Sequence, residues 1–294
     1  KGKILVFGFN PFYYYIVSLF LKVISSFSVL LMVYSLTKSK RTSIYCGLIF
    51  ASSVMGLEVF DRISAHYAAF SIILLSIGIF FWVRATEKDF IKDTLVAIFF
   101  FLLALLGDPG SSIMVIPLII IWEILNSYQR KLGKDYLKRI ILRVLIICAF
   151  TVLLLSVISQ RTKYFSSNLY TNHIQYAAQH LGSSLNNYMN SIGHLFVGWF
   201  IPIEEMIGIS SATFIGLIAG YLLLITFLLQ FILFLKTKSD SNKLMVFLLG
   251  WIMLFYFPNW ITQEHIVIGG LVVGVSNRYL ALSSVALICL LGIS

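Results

Sequence analysis

The sequence predicts an all-α fold, a polytopic helical membrane protein of about nine transmembrane segments with one extracytoplasmic interfacial amphipathic helix. Three observations predict it. Hydrophobic residues make up 59% of the chain and charged residues 12%, against about 45–50% and about 25% in soluble domains. The apolar residues gather into runs near the length of a membrane helix. The basic residues cluster between those runs, in four stretches that agree on a single orientation.

The first run, 10 to 36, is a full span closed by Lys38, Lys40 and Arg41. Runs at 43 to 57 and 67 to 84 lead to the second basic stretch, Arg84, Lys88 and Lys92. Runs at 94 to 107 and 111 to 126 follow, with the turn "GDPG" (Gly107 to Gly110) between them. The third stretch is Arg130, Lys131, Lys134, Lys138, Arg139 and Arg143. Then come 140 to 159 and 211 to 235, the fourth stretch (Lys236, Lys238, Lys243), and last 244 to 257 and 279 to 294. Two runs separate each basic stretch from the next, so all four fall on the cytoplasmic face with no adjustment. They hold fifteen of the 22 Lys and Arg residues. The net charge of +10 is therefore read as this cytoplasmic bias and not as a nucleic-acid surface.

Within the runs, Lys22 is the one charge set well inside a span, and Glu123 and Arg143 are expected to snorkel to the cytoplasmic side. Cys46, Cys148 and Cys289 all lie in apolar runs and form neither a metal spacing nor a disulfide framework.

The chain reads as one transmembrane domain over 1–294, with 160–210 as an extracytoplasmic loop. In that loop Ile174, Ala178, Leu181, Leu185, Tyr188, Ile192 and Leu195 follow helical spacing while Asn, Gln, Ser and His fill the other faces. This pattern predicts a surface helix within 165–200, lying along the membrane and not across it.

The opposite face receives all five histidines and half of the twelve carboxylates, so chemistry is expected there. Asp108 stands at the start of the fifth run, where Pro109 and a helix N-terminus favour its ionised form; a simple helix cap is the competing reading. Glu58, Asp61, Arg62 and His66 cluster before the third run, where an ion pair at a helix end is the default for Asp61 and Arg62. Arg278 and Tyr279, in "SNRYL", enter the last run. A guanidinium suits phosphate through bidentate bonding, and a snorkelling anchor is the alternative. Glu264, His265 and His180 are acceptor-side candidates, His180 being an interfacial polar residue first. No metal-ligand spacing occurs; a divalent metal stays open as a cofactor.

The blocks "NPFYYYIVSLFLKVISSFSVLLMVYSLTKSKR", "VFDRISAHYAAFSIILLSIGIFFWVRA", "LLALLGDPGSSIMVIPLIIIWEIL", "GHLFVGWFIPIEE" and "SNRYLALSSVALICLLG" resemble, in order, the polytopic GT-C glycosyltransferases. The likeness is to the branch with protein O-mannosyltransferases and many bacterial members. It implies transfer of a sugar from a polyprenyl-phosphate donor to a protein, lipid or glycan acceptor on the extracytoplasmic side of a plasma, inner or endoplasmic-reticulum membrane. It also implies that the catalytic base sits on a loop upstream of Lys1, after a first transmembrane helix. The chain departs from the family at "SAHYAAF", where an acid often follows Gly-Arg, and at "GDPG", where Lys-Glu is common. Asp108, Asp61, Glu58 and His66 are the catalytic candidates within the chain, and Arg278, Arg62 and Tyr279 the donor-phosphate candidates. A noncatalytic scaffold and a small-molecule or lipid transporter are the alternatives, the latter without the internal repeat such proteins often carry.

Overall fold

Ten helices run through the residues described by the computed structural model, which are 11–53, 66–88, 91–108, 112–130, 134–162, 175–198, 209–261 and 277–293. In chain order they are α1 (Pro11–Thr37), α2 (Lys40–Ser52), α3 (His66–Lys88), α4 (Ile91–Gly107), α5 (Val115–Arg130), α6 (Lys134–Thr162), α7 (Leu181–Gly198), α8 (Ile209–Thr237), α9 (Asp240–Ile261) and α10 (Asn277–Ile293). No strand occurs among the described residues, so the chain is all-α as expected. Each of the nine apolar runs coincides with a helix. Four helical stretches are long and apolar enough to cross a membrane: Phe12–Thr37, His66–Thr86, Thr213–Thr237 and Asp240–Pro258. Val115–Gln129, Ile140–Leu153 and Leu282–Ile293 are apolar but shorter.

The packing follows chain order in two groups joined by a central helix. α1 packs on α2 and α3, and α3 on α4; α7 packs on α8, α8 on α9, and α9 on α10. α10 then reaches across to α2 and α3, while α5 bridges α9 and α6. Residues 282–289 of α10 are buried on every side, as befits a helix apolar all round at the centre of a bundle. α8 is the opposite case: it exposes Phe214, Ile218, Leu222, Ile225 and Leu229, an apolar face suited to lipid.

Two tight turns organise one end of the bundle. α1 reaches α2, and α8 reaches α9, through the same three residues, Thr-Lys-Ser. In each the lysine is left-handed, Lys38 at φ 58° and Lys238 at φ 55°. Lys38 N–H donates to Tyr34 O at 2.9 Å and Lys238 N–H to Phe234 O at 2.8 Å, closing each helix by a left-handed cap. The serine then opens the next helix: Ser39 Oγ accepts from Thr42 N at 3.3 Å, and Ser239 Oγ from Asn242 N at 3.2 Å. The threonine Oγ1 accepts from the serine N–H in both turns. The basic residues that mark these stretches thus sit in turns with matching capping chemistry.

The amphipathic helix expected within 165–200 forms as α7, burying Ile192 of the expected apolar face together with polar and small residues. Leu181 and Leu185 are exposed, while Ser184, Asn190, Ser191 and Gly193 are buried. The polar and small face packs on α8. A methyl group placed at Gly193 would run into Gly216 O, and one at Gly220 into Met189 O, so the two backbones touch. Tyr221 Oη donates to Asn186 Oδ1 in the same register. As the chain rises from 186 to 193 its partners fall from 221 to 216, so the helices are antiparallel and α7 lies along the first two thirds of α8. Close approach through Gly216-x-x-x-Gly220 is the small-residue contact of membrane helices. A helix in such contact runs alongside α8, antiparallel to it.

Candidate functional site

The end of the bundle away from the Thr-Lys-Ser turns gathers several of the sequence candidates. One face of α1 supplies Tyr14, Ser18 and Lys22, four residues apart and so one above the other. His66 opens α3 against this face, 2% exposed, with Nε2 3.1 Å from Ser18 Oγ. The Ser18 hydroxyl donates to Tyr14 O at 3.0 Å, so its oxygen accepts and His66 Nε2 is the donor. The sequence read His66 as a loop residue near water; its burial here comes from the serine that gives the ring a polar partner inside the bundle.

Lys22, one turn further along α1, is 8% exposed, and its Nζ donates to Ser53 O at 3.2 Å and lies 4.7 Å from the Phe50 ring centroid. Ser53 follows the last residue of α2, so the ammonium meets the negative end of a helix dipole and an unsatisfied terminal carbonyl together. That explains how a charge survives deep in a span.

Asp108 directly follows α4. Its N–H donates to Ala104 O at 2.9 Å, and its carbonyl accepts from Ser112 N at 3.0 Å, which carries the chain into α5. Ser71 Oγ donates to Ala104 O at 3.3 Å, and Gly107 packs beside Ser71 and Tyr67, so the end of α4 lies at the start of α3. Asp108, half-buried, therefore shares a bundle end with His66. The backbone of Arg278 and Tyr279 reaches the same end. Trp251 Nε1 donates to Leu282 O at 3.0 Å and Ser283 Oγ to Ile252 O at 3.3 Å, fixing the start of α10 on α9. Gly292, at its other extreme, presses on Cys46 of α2 toward the lysine turns.

His180 is not brought to this end. It is exposed just before α7, stacked on Tyr176 at 4.4 Å, beside the middle of α8. Glu58, Asp61, Arg62, Glu264 and His265, and the side chains of Arg278 and Tyr279, lie outside the described residues. Among the described residues, no three His, Cys, Asp or Glu side chains group as a metal cage.

At the lysine end the structure builds a polar layer that sequence reasoning missed. Glu123, 1% exposed, accepts from Trp82 Nε1 at 2.8 Å and Thr86 Oγ1 at 3.0 Å instead of snorkelling to the surface. Arg143 is also buried, with Nη2 3.5 Å from Ala85 O. Lys243 Nζ donates to Asn126 Oδ1 at 3.1 Å, Gln129 Oε1 at 2.8 Å and Asp240 Oδ1 at 2.9 Å. The available signal was the spacing of Trp122, Asn126 and Gln129, which puts them on one face of α5. No protein-family model, curated protein or solved structure matches the chain.

Proposed function

We propose that this chain is the membrane core of a glycosyltransferase that moves a sugar from a polyprenyl-phosphate donor to an extracytoplasmic acceptor. The reaction is placed at the bundle end that holds His66, Asp108 and the start of α10. One observation carries the reading: these three positions, separate in sequence, share the end opposite the lysine turns, as a site on the extracytoplasmic face of a GT-C-like enzyme requires. The nine apolar helices are taken as the crossings, with α7 embedded beside α8.

Transfer from a lipid phosphate asks three things of the protein. A base must take the acceptor proton, a cation must hold the departing phosphate, and a wet vestibule must open beside lipid. In this reading Asp108, half-buried at a helix junction, is the carboxylate within the chain that assists the acceptor. Arg278, in the first turn of α10, holds the phosphate oxygens through two parallel N–H bonds, aided by the positive end of the helix. His66, bonded to Ser18, adds a polar pair at the same bundle end.

The test is transfer by the protein in its membrane, with a panel of polyprenyl-phosphate sugars and extracytoplasmic acceptors. Arg278→Lys keeps the charge and loses the planar fork, and Arg278→Ala loses both, so activity falls in that order. The Ala variant loses about 2–3 kcal/mol of transition-state stabilisation, roughly 30- to 150-fold in rate. Unchanged transfer in Arg278→Ala, at equal expression, would reject the site.

A further inference from the structure

The two Thr-Lys-Ser turns are close neighbours. Thr37 and Lys38 from the first, and Asp240 and Lys243 from the second, line one cavity of about 360 Å³ together with Asn126 of α5. The turns close α1 and α8 and open α9, so they stand at the ends of three of the four described helices long and apolar enough to cross a membrane. Residues 34–45 and 230–245 together hold six basic residues and one carboxylate. That carboxylate, Asp240, lies 2.9 Å from Lys243 Nζ and accepts from Gln129 Nε2 at 3.0 Å. No second carboxylate in these stretches offsets the rest, and Lys40, Arg41 and Lys236 are exposed. Crowded like charges repel one another, a cost that an apposed negative surface removes.

Three exposed tyrosines set the level of this face. Tyr34 of α1, Tyr45 of α2 and Tyr128 of α5 are 38%, 59% and 42% exposed. Tyr34 stands one helical turn before Lys38, Tyr45 one turn after Arg41, and the Tyr128 ring centroid lies 4.5 Å from Lys238 Nζ. Tyrosine is the side chain of the headgroup level, with an apolar ring and a polar tip. On the far side of the tyrosines the exposed residues are apolar, Ile44 and Leu48 on α2 and Leu229 and Ile232 on α8. Only 17% of the apolar window of α8 is buried, so lipid surrounds most of this helix up to Lys236. The order of basic tip, tyrosine and apolar flank recurs on separate elements and matches the headgroups, interface and hydrocarbon of one leaflet.

We propose that this face binds the anionic phospholipid headgroups of the leaflet it meets, with Lys40, Arg41 and Lys236 as the headgroup contacts and the tyrosines fixing its depth. The inference depends neither on the transfer reading nor on which leaflet that is.

The experiment reconstitutes the whole chain in phosphatidylcholine vesicles carrying a trace of spin-labelled phosphatidylglycerol or spin-labelled phosphatidylcholine. The fraction of each label immobilised at the protein surface is compared. Phosphatidylglycerol should be held in preference at low salt, and the preference should shrink near 1 M salt, where the Debye length falls to about 3 Å. Substituting Lys40→Gln, Arg41→Gln and Lys236→Gln together should cut the preference at least about fivefold, the loss expected of a single charge beside an anionic surface. All three side chains are exposed, so the thermal midpoint in phosphatidylcholine should stay unchanged and a binding loss is not a folding loss. Lys92→Gln with Lys138→Gln removes two exposed charges from other helices and should leave most of the preference that Lys40→Gln with Arg41→Gln abolishes. Phosphatidylglycerol held no better than phosphatidylcholine, or a preference untouched by the triple substitution, would overturn the proposal. Equal losses in the two double variants would also overturn it, since net charge alone would then account for the binding.

Discussion

Lys22 shows how far one residue can be read before its surroundings are known. Its oddity was legible, since a lone lysine in the middle of an apolar run demands a reason. Its partner was not, because Ser53 lies 31 residues away and only the packing of α2 on α1 brings the terminal carbonyl to it. Removing the ammonium leaves that carbonyl unmet at the negative end of α2, although it also spares the desolvation of a buried charge. The bond and the helix end together outweigh that relief, so Lys22→Met should destabilise by about 1–2 kcal/mol. Lys22→Glu should cost about 3 kcal/mol or more, since it sets a negative charge against the carbonyl end of α2. Unfolding of the purified variants in a denaturing-detergent titration measures both. A Met variant as stable as the native chain would mean that Lys22 is tolerated and not useful. His66 follows the same pattern: a polar residue at the right end, with a serine partner on another helix that no local pattern discloses.

At the scale of elements, periodicity identified the helices, and the packing of α7 shows what periodicity leaves open. The spacing from Leu181 to Leu195 is truly amphipathic, but the sequence cannot say whether the apolar side meets protein or lipid. The glycines decide it. Gly193, Gly216 and Gly220 let the two backbones touch, drawing the Asn and Ser face of α7 onto α8 and leaving Leu181 and Leu185 outside. Gly220→Ala should therefore cost about 1–3 kcal/mol, because its methyl meets backbone that cannot move aside. Gly182 is the control: nothing lies within 4 Å of an added Cβ, so Gly182→Ala should instead stabilise by about 0.5–1 kcal/mol through helix propensity. Spin labels at Ser183 and Val197 test the orientation of α7 itself. Fourteen residues of helix at about 1.5 Å each separate the two labels by roughly 20 Å in depth if α7 follows α8, and by almost nothing if it lies flat on the membrane. Equal depths would restore the surface helix that the sequence suggested.

Across the whole molecule, the distribution of charge predicts a polarity for the architecture, and the structure supplies an independent constraint on it. Lys38 and Lys243 line one cavity, so the turn from α1 to α2 and the turn from α8 to α9 lie at the same end of the bundle whatever the orientation of the membrane. An even number of crossings must then separate Ser39 from Ser239. If the proposed crossings hold, the helices α2, α3, α4, α5, α6 and α8 provide six, and a complete crossing by α7 would make seven. Under the proposed topology α7 would enter the depth occupied by α8 and leave by the face it came from, a re-entrant element with its polar side sheltered by protein. The end proposed for the site follows from the histidines and carboxylates left over once the lysines are assigned to one face. The lysine-end cavity was not legible in the sequence, because it is formed by three helices meeting. Cysteines placed at Ser39 and Ser239 should both react with a membrane-impermeant maleimide from the cytoplasmic side alone, since the excess of Lys and Arg in these turns sets the orientation. Labelling of both from outside would invert the molecule and move the proposed transfer site to the cytoplasm. Labelling from opposite sides would break the shared cavity, and with it the arrangement of α1, α5 and α9 that encloses it.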